Sequence, residues 1–247
     1  MTRVMISIVL IAAGGLGGAA AAMAETPSGS MPPKKTLHVL TEEQVDPSHL
    51  LPPPPREGSD ELAAELADVR KARENATPER RTQAEWDARH ESVELFFVTL
   101  GPKFDLQRLT ATAKLIGVVA NEQSVAARIA KGYFQRKRPW AFDTSLVPCD
   151  YKPNAPPLTS YPSGHATLGY SEGFILSALM PEKSQAILAR AQQYAYSRVV
   201  CGSHYPADIE ASHVLGTELA MMLMREPGFA AEFAAAKAEL RGVGLTQ

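Results

Sequence analysis

The chain of 247 residues contains only two cysteines, Cys149 and Cys201. Neither has a Cys or His neighbour at a spacing typical of zinc ligands, which argues against a zinc site at these thiols. Long apolar runs are also scarce, because no window beyond the N-terminus is long and apolar enough to span a bilayer. The formal net charge is −2, which excludes the basic surface of a nucleic-acid-binding scaffold.

Alternating apolar residues, the pattern of a half-buried strand, are missing as well. Helical spacing is present instead: Leu62, Leu66 and Val69 recur one turn apart behind Ser59, a good N-cap residue. We therefore predict a single compact all-α domain over residues 59–247. The first expected helix begins after Ser59. Two others are expected to begin at capping residues, one running from Asp105 to residue 119 and one from Asn121 through Lys131. The remaining expected helices cover residues 78–100, 165–180, 182–200, 206–225 and 228–240. Residues 138–160 are expected to form a long irregular loop.

The N-terminus has the pattern of a secretory signal peptide. Arg3 precedes an apolar run over residues 4–13, and a small-residue stretch ends in Ala22-Met23-Ala24. We predict a signal peptide over residues 1–24, with an uncleaved membrane anchor as the alternative, and an extended proline-rich segment over 25–58. In a Gram-negative bacterium the mature protein is then periplasmic. In an exported chain the even cysteine count favours one Cys149–Cys201 disulfide over two buried free thiols.

Three short blocks carry residues suited to phosphate chemistry. In the last block, Arg198, His204 and Asp208 occur in order, and the four-residue gap puts His204 and Asp208 on one face of a helix. Asp208 is then able to fix the tautomer of His204 and leave its other ring nitrogen free as a nucleophile. A His and an Asp one turn apart are more often a surface pair, so this block is weak by itself.

The two upstream blocks add a second histidine and two cations. Ser163-Gly164-His165 lies where a loop is expected to enter a helix, a place where backbone amides favour an anion. Lys131 and Arg138-Pro139 are separated by six residues. Together with Arg198 these cations are suited to neutralise a phosphate dianion, although a solvated surface position is the usual place for each of them.

Together the blocks resemble the type 2 phosphatidic acid phosphatase superfamily, whose pattern is Lys-x6-Arg-Pro, then Pro-Ser-Gly-His, then Ser-Arg-x5-His-x3-Asp. Leu50-Leu51 and the four prolines after them are similar to the N-terminal signature of bacterial class A non-specific acid phosphatases. The resemblance implies the helical fold of the acid phosphatase and vanadium-dependent haloperoxidase type. It also implies a dimer or larger homo-oligomer, and neither a metal nor another cofactor.

The resemblance implies the following roles. His204 attacks phosphorus and becomes a phosphohistidine, Asp208 orients His204, and His165 moves the proton. The phosphoryl group is held by Lys131, Arg138, Ser163, Gly164 and Arg198. The implied substrates are small phosphate monoesters such as nucleotides, sugar phosphates and aryl phosphates, with phosphate transfer to alcohols as a side activity.

Three alternatives remain open at this point. A lipid phosphatase acting on a phosphatidate or polyprenyl pyrophosphate uses the same groups but usually carries several membrane spans. A vanadium haloperoxidase has a similar pocket in a generally longer chain. A periplasmic phosphate-binding protein would not need two histidines and a paired aspartate.

Overall fold

The computed structural model describes residues 35–152 and 154–247. The predicted signal peptide and the first part of the proline-rich segment lie outside the described residues. The described chain from Lys35 onward forms one compact unit, and every regular element in it is helical. The all-α prediction is therefore confirmed. No helix among the described residues has the length and apolar character needed to cross a membrane.

Residues 35–152 and 154–247 contain ten α-helices, in this order: α1 Pro47–Leu50, α2 Asp60–Glu74, α3 Pro78–Arg89, α4 Phe97–Leu100, α5 Thr110–Phe134, α6 Pro139–Phe142, α7 Gly164–Leu179, α8 Ser184–Val200, α9 Pro206–Arg225 and α10 Pro227–Gly242. Two 3-10 turns, Val93–Phe96 and Pro181–Lys183, precede α4 and α8. As the sequence predicts, Ser59 caps α2, since its hydroxyl accepts the Leu62 amide at 3.2 Å.

The fold is built around α7, which packs against α5, α8 and α9. Its inward face carries Leu168, Ile175 and Leu176, all buried in the main core. Glycines allow the close approach of its neighbours. A Cβ on Gly169 would lie 2.9 Å from the Tyr194 ring, and one on Gly216 would lie 2.8 Å from the Thr167 carbonyl oxygen. The start of α7, which carries the Ser-Gly-His block, is thereby held against the end of α8 and the start of α9.

The N-terminal segment packs on this core. Leu40, Val45 and Leu51 are buried within the main cluster. The buried carboxylate of Glu122 on α5 accepts the His38 amide at 2.8 Å and the Leu40 amide at 3.0 Å. These bonds satisfy backbone groups that a segment without regular structure would otherwise leave unpaired.

The expected helix over residues 78–100 is wrong, because the chain leaves the helix after Arg89. The His90 ring stacks on Trp86 at 4.0 Å, and the His90 carbonyl accepts the Tyr194 hydroxyl at 2.8 Å. The Leu95 carbonyl accepts Arg190 Nε at 3.0 Å. These tertiary bonds stabilise a break that the apolar spacing does not indicate, and the break places Glu91 beside α7.

The expected separation of two helices near residue 120 is also wrong, since α5 runs without interruption from Thr110 to Phe134. Asn121 is a good capping residue, but neither Gly nor Pro accompanies it, so nothing ends the helix there. Its side chain instead donates to the Thr36 carbonyl at 2.8 Å. The helix ends at Phe134, and the next residue, Gln135, adopts a left-handed conformation with φ 47°.

Candidate active site

A cavity of about 690 Å³ opens where α5, α7, α8 and the loop before α9 meet. Six of the eight predicted site residues line it: Lys131, Arg138, Gly164, His165, Arg198 and His204. The other two, Ser163 and Asp208, are buried directly behind this lining. Lys131 and His204, 73 positions apart in the sequence, thus share one pocket.

His204 occupies the floor of the cavity and is almost fully buried. Its Nδ1 lies 3.2 Å from Asp208 Oδ2, and its Nε2 lies 3.1 Å from Arg138 Nη1. A carboxylate accepts and a guanidinium donates, so these partners assign the proton to Nδ1 and a lone pair to Nε2. Burial and the Arg138 charge lower the pKa of His204 to about 3, against the opposing effect of Asp208. Its Nε2 therefore stays unprotonated in mildly acidic solution.

Asp208 is held by three further donors. Its Oδ2 accepts the Ser160 hydroxyl at 2.6 Å and the Tyr205 amide at 3.0 Å, and its Oδ1 lies 2.6 Å from Arg136 Nη1. Burial alone would raise the pKa of Asp208, but the His204 hydrogen bond and the Arg136 charge lower it. Asp208 therefore remains a carboxylate that orients the imidazole of His204.

Arg136 connects Asp208 to a second buried carboxylate. Its Nη2 forms an ion pair with Glu65 on α2, and its guanidinium lies 4.0 Å from the centre of the Tyr205 ring. Glu65 also accepts the Ala207 amide at 2.7 Å, at the start of α9. Sequence reasoning missed this pair. Arg136 lies two residues before Arg138, but nothing in the sequence connects it with Glu65, 71 positions away.

Two of the cations are held by the loop before α7. Lys131 donates to the Thr159 carbonyl at 3.0 Å and to the Pro162 carbonyl. Arg138 donates to both the hydroxyl and the carbonyl of Thr159, at 3.2 and 3.1 Å. Burial and the Arg138 charge lower the pKa of Lys131 to about 7, and burial with the Arg198 charge lowers the pKa of Arg138 to about 10. An anion in the cavity would offset this crowding of positive charge.

Arg198 is the third cation. Its Nη2 donates to Asp150 Oδ2 at 2.7 Å, and Ser203 holds the other oxygen of Asp150 at 3.0 Å. Within residues 35–152 and 154–247, Arg198 Nε and Nη1 are buried donors with no hydrogen-bond partner. Buried donors are normally paired, so these two groups are free for an anion in the cavity that Arg198 lines.

Asp150 was also missed by sequence reasoning. Burial alone would raise its pKa, but Arg198 outweighs burial and lowers it to about 2, so Asp150 is a carboxylate. It follows Cys149, which forms a disulfide with Cys201 across 52 residues. The disulfide proposed from the cysteine count is present, and it ties the Asp150 loop to the end of α8 that carries Arg198.

The start of α7 forms the opposite wall. Ser163 is the N-cap, and its hydroxyl accepts the Ala166 amide at 3.3 Å. Its own amide donates to the Ser212 hydroxyl at 2.8 Å. Gly164 and His165 occupy the first turn and line the cavity, and the amides of a first turn have no acceptor within the helix. The helix start therefore presents backbone donors to an anion.

His165 is less buried than His204 and faces the cavity. Its Nε2 lies 3.2 Å from the Ala88 carbonyl oxygen, and its Nδ1 lies 3.5 Å from Glu91 Oε1. The carbonyl accepts only, so Nε2 carries a proton and Nδ1 is the nitrogen that changes its protonation. Burial and Arg198 lower the pKa of His165, while Asp150 opposes them.

The model of the PAP2 superfamily matches residues 111–229, which contain all three blocks. A non-specific acid phosphatase of Providencia stuartii is 30% identical over 221 residues, covering 86% of this chain and 88% of that protein. An acid phosphatase of Zymomonas mobilis is 28% identical over 84% of this chain and 79% of that protein. A non-specific acid phosphatase of Salmonella typhimurium is 32% identical, but over only 47% of this chain and 46% of that protein.

The first two relatives match along most of the chain, and the names of all three agree on the reaction. The cavity of this chain is lined by the cations and histidines that hydrolysis of a phosphate monoester requires. The protein is an acid phosphatase, a phosphoric monoester hydrolase, and the chain belongs to the PAP2 superfamily, in its branch of class A-like non-specific acid phosphatases.

Proposed function

We propose that this protein hydrolyses small phosphate monoesters through a phosphohistidine on His204. The observation that carries the proposal is the state of the His204 ring. Asp208 binds Nδ1, so the Nε2 lone pair points to the cavity, where Arg138 holds it in the absence of substrate. A phosphate that pairs with Arg138 displaces this contact and places phosphorus beside Nε2.

The reaction then follows from the surrounding charges. Lys131, Arg138 and Arg198, with the first amides of α7, surround the three non-bridging oxygens and stabilise the charge of the transition state. Asp208 stabilises the positive charge that His204 gains as the N–P bond forms. His165 protonates the leaving oxygen and then removes a proton from the water that releases phosphate. Three protein cations supply the neutralisation that a metal ion supplies in other phosphatases.

The size of the cavity supports a broad substrate range. Its volume of about 690 Å³ holds more than a phosphate group, and its lining includes Trp140, Tyr151 and Pro156. Such a lining offers apolar contact to many organic groups and hydrogen-bond specificity to few of them. We therefore expect turnover of aryl phosphates, sugar phosphates and nucleotides.

The test is hydrolysis of p-nitrophenyl phosphate with and without EDTA by the native protein and by His204→Ala. We expect turnover that EDTA does not change and that His204→Ala abolishes. The matched control is His213→Ala, because His213 is about half exposed, lies with its ring centre 4.5 Å from that of Tyr170, and does not line the cavity. Normal turnover by His204→Ala would rule out the proposed nucleophile. Halide oxidation with added vanadate, in the absence of hydrolysis, would instead indicate a haloperoxidase.

We further propose that the protein is exported to the periplasm and assembles as a homo-oligomer. Export is supported by the charged and apolar pattern of residues 1–24 and by the Cys149–Cys201 disulfide, which persists in oxidising compartments. N-terminal sequencing of the protein from a periplasmic fraction should begin at Glu25. Light scattering of the purified protein gives the oligomeric state, and a monomer would contradict this part of the proposal.

A further inference from the structure

The break between α3 and the following 3-10 turn places a carboxylate at the cavity that the predicted mechanism does not use. Glu91 lines the cavity, and its Oε1 lies 3.5 Å from His165 Nδ1. The same oxygen would lie 3.1 Å from a Cβ on Gly164, so the glycine leaves the space that Glu91 occupies. The contact between Glu91 and His165 therefore depends on the glycine at position 164 and on the conformation of the loop that carries Glu91.

The loop is fixed at His90, the residue before Glu91. His90 stacks on Trp86, and its carbonyl accepts the Tyr194 hydroxyl at 2.8 Å. The Tyr194 ring also lies against the His165 ring, with 5.9 Å between centres. One tyrosine thus contacts both His165 and the backbone of the residue before Glu91, so the fold sets the position of the Glu91 backbone relative to His165.

We propose that Glu91 is a positioning residue that shares one proton with His165 and keeps it available for the leaving group. This inference rests on the proposed function, in which His165 is the acid. His165 Nε2 donates to the Ala88 carbonyl, so only Nδ1 is able to exchange a proton with substrate. Nδ1 is also the nitrogen beside Glu91.

The charges around the pair explain why His165 needs a partner. His165 is surrounded by Arg198 on α8, His204 before α9 and Asp150 in the loop after α6. Burial and Arg198 lower the pKa of His165, so the imidazole alone is a poor carrier of a proton in mildly acidic solution. Burial raises the pKa of Glu91, against Arg198 and Lys131. Asp150 and Lys35 also face Glu91, with opposite effects. The distance of 3.5 Å between Oε1 and Nδ1 allows the two atoms to share a single proton, and in this proposal the pair titrates as a unit.

The proton balance of both half-reactions is complete with this pair. In the first, the His204 Nε2 lone pair forms the N–P bond while the electrons of the P–O bond leave with the organic oxygen. That oxygen takes the shared proton from the pair. In the second, a water oxygen bonds to phosphorus, one water proton returns to the pair, and the electrons of the N–P bond return to His204. The side chain of Glu91 is 48% exposed, which allows the pair to exchange protons with solvent.

The test compares two aryl phosphates of similar size, p-nitrophenyl phosphate and phenyl phosphate, with the second having the poorer leaving group. We measure kcat/KM, which reports the first half-reaction, for the native enzyme and Glu91→Gln. We expect the loss to be about tenfold larger for phenyl phosphate than for p-nitrophenyl phosphate, a part of the 10²–10⁴-fold that a general acid supplies. A loss that is equal for the two substrates would overturn the proposal.

The pH profile supplies a readout that a purely structural role would not move. A carboxylate beside an imidazolium raises the pKa of the imidazole. Removing it in Glu91→Gln should therefore move the alkaline limb of kcat/KM for phenyl phosphate to lower pH, and Glu91→Asp should restore part of the difference. An unchanged limb in both variants would contradict the proposal.

Two comparisons keep this inference separate from the proposed function. Glu85→Gln is the matched control, since Glu85 is a similarly exposed glutamate on α3 that pairs with Arg89; its substrate ratio should equal that of the native enzyme. In the double variant with His165→Ala, the Glu91→Gln effect should disappear. If His165→Ala discriminates between the two substrates and Glu91→Gln does not, the Glu91 proposal fails while the proposed function stands. If His204→Ala retains turnover, the proposed function itself fails.

Discussion

The two histidines of the cavity have very different surroundings. His204 and Asp208 are sealed in the core, with side-chain exposures of 2% and 0%, and Asp208 is bound by Ser160, Tyr205 and Arg136. His165 and Glu91 are 13% and 48% exposed and are separated by a longer contact. The sealed pair is suited to hold charge and tautomer constant during attack on phosphorus. The open pair is suited to exchange a proton with solvent in each half-reaction.

Among the substitutions that test this difference between the His204–Asp208 and His165–Glu91 pairs, Asp208→Asn is expected to have the largest effect on activity. An amide at this position neither stabilises the His204 imidazolium nor enforces a proton on Nδ1, so kcat should fall by about 10³–10⁴-fold, as in other His–Asp pairs. Steady-state kinetics with p-nitrophenyl phosphate measures the loss. If Asp208→Asn loses no more activity than Glu91→Gln, the two pairs do not differ as proposed.

Arg136→Met removes the cation between Asp208 and Glu65. Two carboxylates are then left in the core without their shared partner, which should reduce the free energy of unfolding by about 3–5 kcal/mol and also lower kcat through Asp208. Denaturant unfolding measures the first effect. Lys137→Met is the neighbouring control, because Lys137 forms an exposed ion pair with Glu57 and should change stability little. Equal stability of the two variants would contradict the assignment of Arg136.

Removal of the Cys149–Cys201 disulfide tests whether this bond keeps Arg198 in position at the cavity. The double Cys149→Ser, Cys201→Ser variant should be less stable by about 2–4 kcal/mol, as expected for a loop of this length. Its KM should rise as well, because Asp150 follows Cys149 and positions Arg198. Thermal unfolding and KM for p-nitrophenyl phosphate measure these changes. A stability loss without a change in KM would show that the disulfide stabilises the fold but does not position Arg198 for substrate binding.

Lys131→Arg is expected to give the smallest effect, a shift of one limb in the pH profile. The pKa of Lys131 is about 7 because of burial and the Arg138 charge, so the group of three cations in the cavity loses one positive charge as pH rises through 7. The pKa of His204 is about 3, so the nucleophile stays unprotonated well below neutral pH. Together these values predict an acidic optimum. Arginine stays charged, so the variant should retain low KM to higher pH, and an unchanged alkaline limb would contradict this explanation.

The sequence predicted the members of the site better than their connections. The spacing of Lys131, Arg138, His165, Arg198 and His204 was informative because each carries chemistry that few other residues supply, and all five line one cavity. Glu91, Asp150 and Arg136 were missed because carboxylates and arginines are common on surfaces, and only the folded chain brings them to their partners. The break after Arg89 was missed because its stabilising bonds come from Tyr194 and Arg190, about a hundred residues away.

The central claim is that the phosphoryl group passes through His204, and direct trapping tests it most clearly. In His165→Ala, a substrate with a good leaving group should still load His204, whereas release by water should be slow. Rapid mixing with p-nitrophenyl phosphate, an alkaline quench and peptide mass spectrometry should then find the phosphoryl group on the peptide that contains His204, with near-stoichiometric occupancy. Release of p-nitrophenol and phosphate in step, with no phosphorylated peptide at any time, would contradict the account.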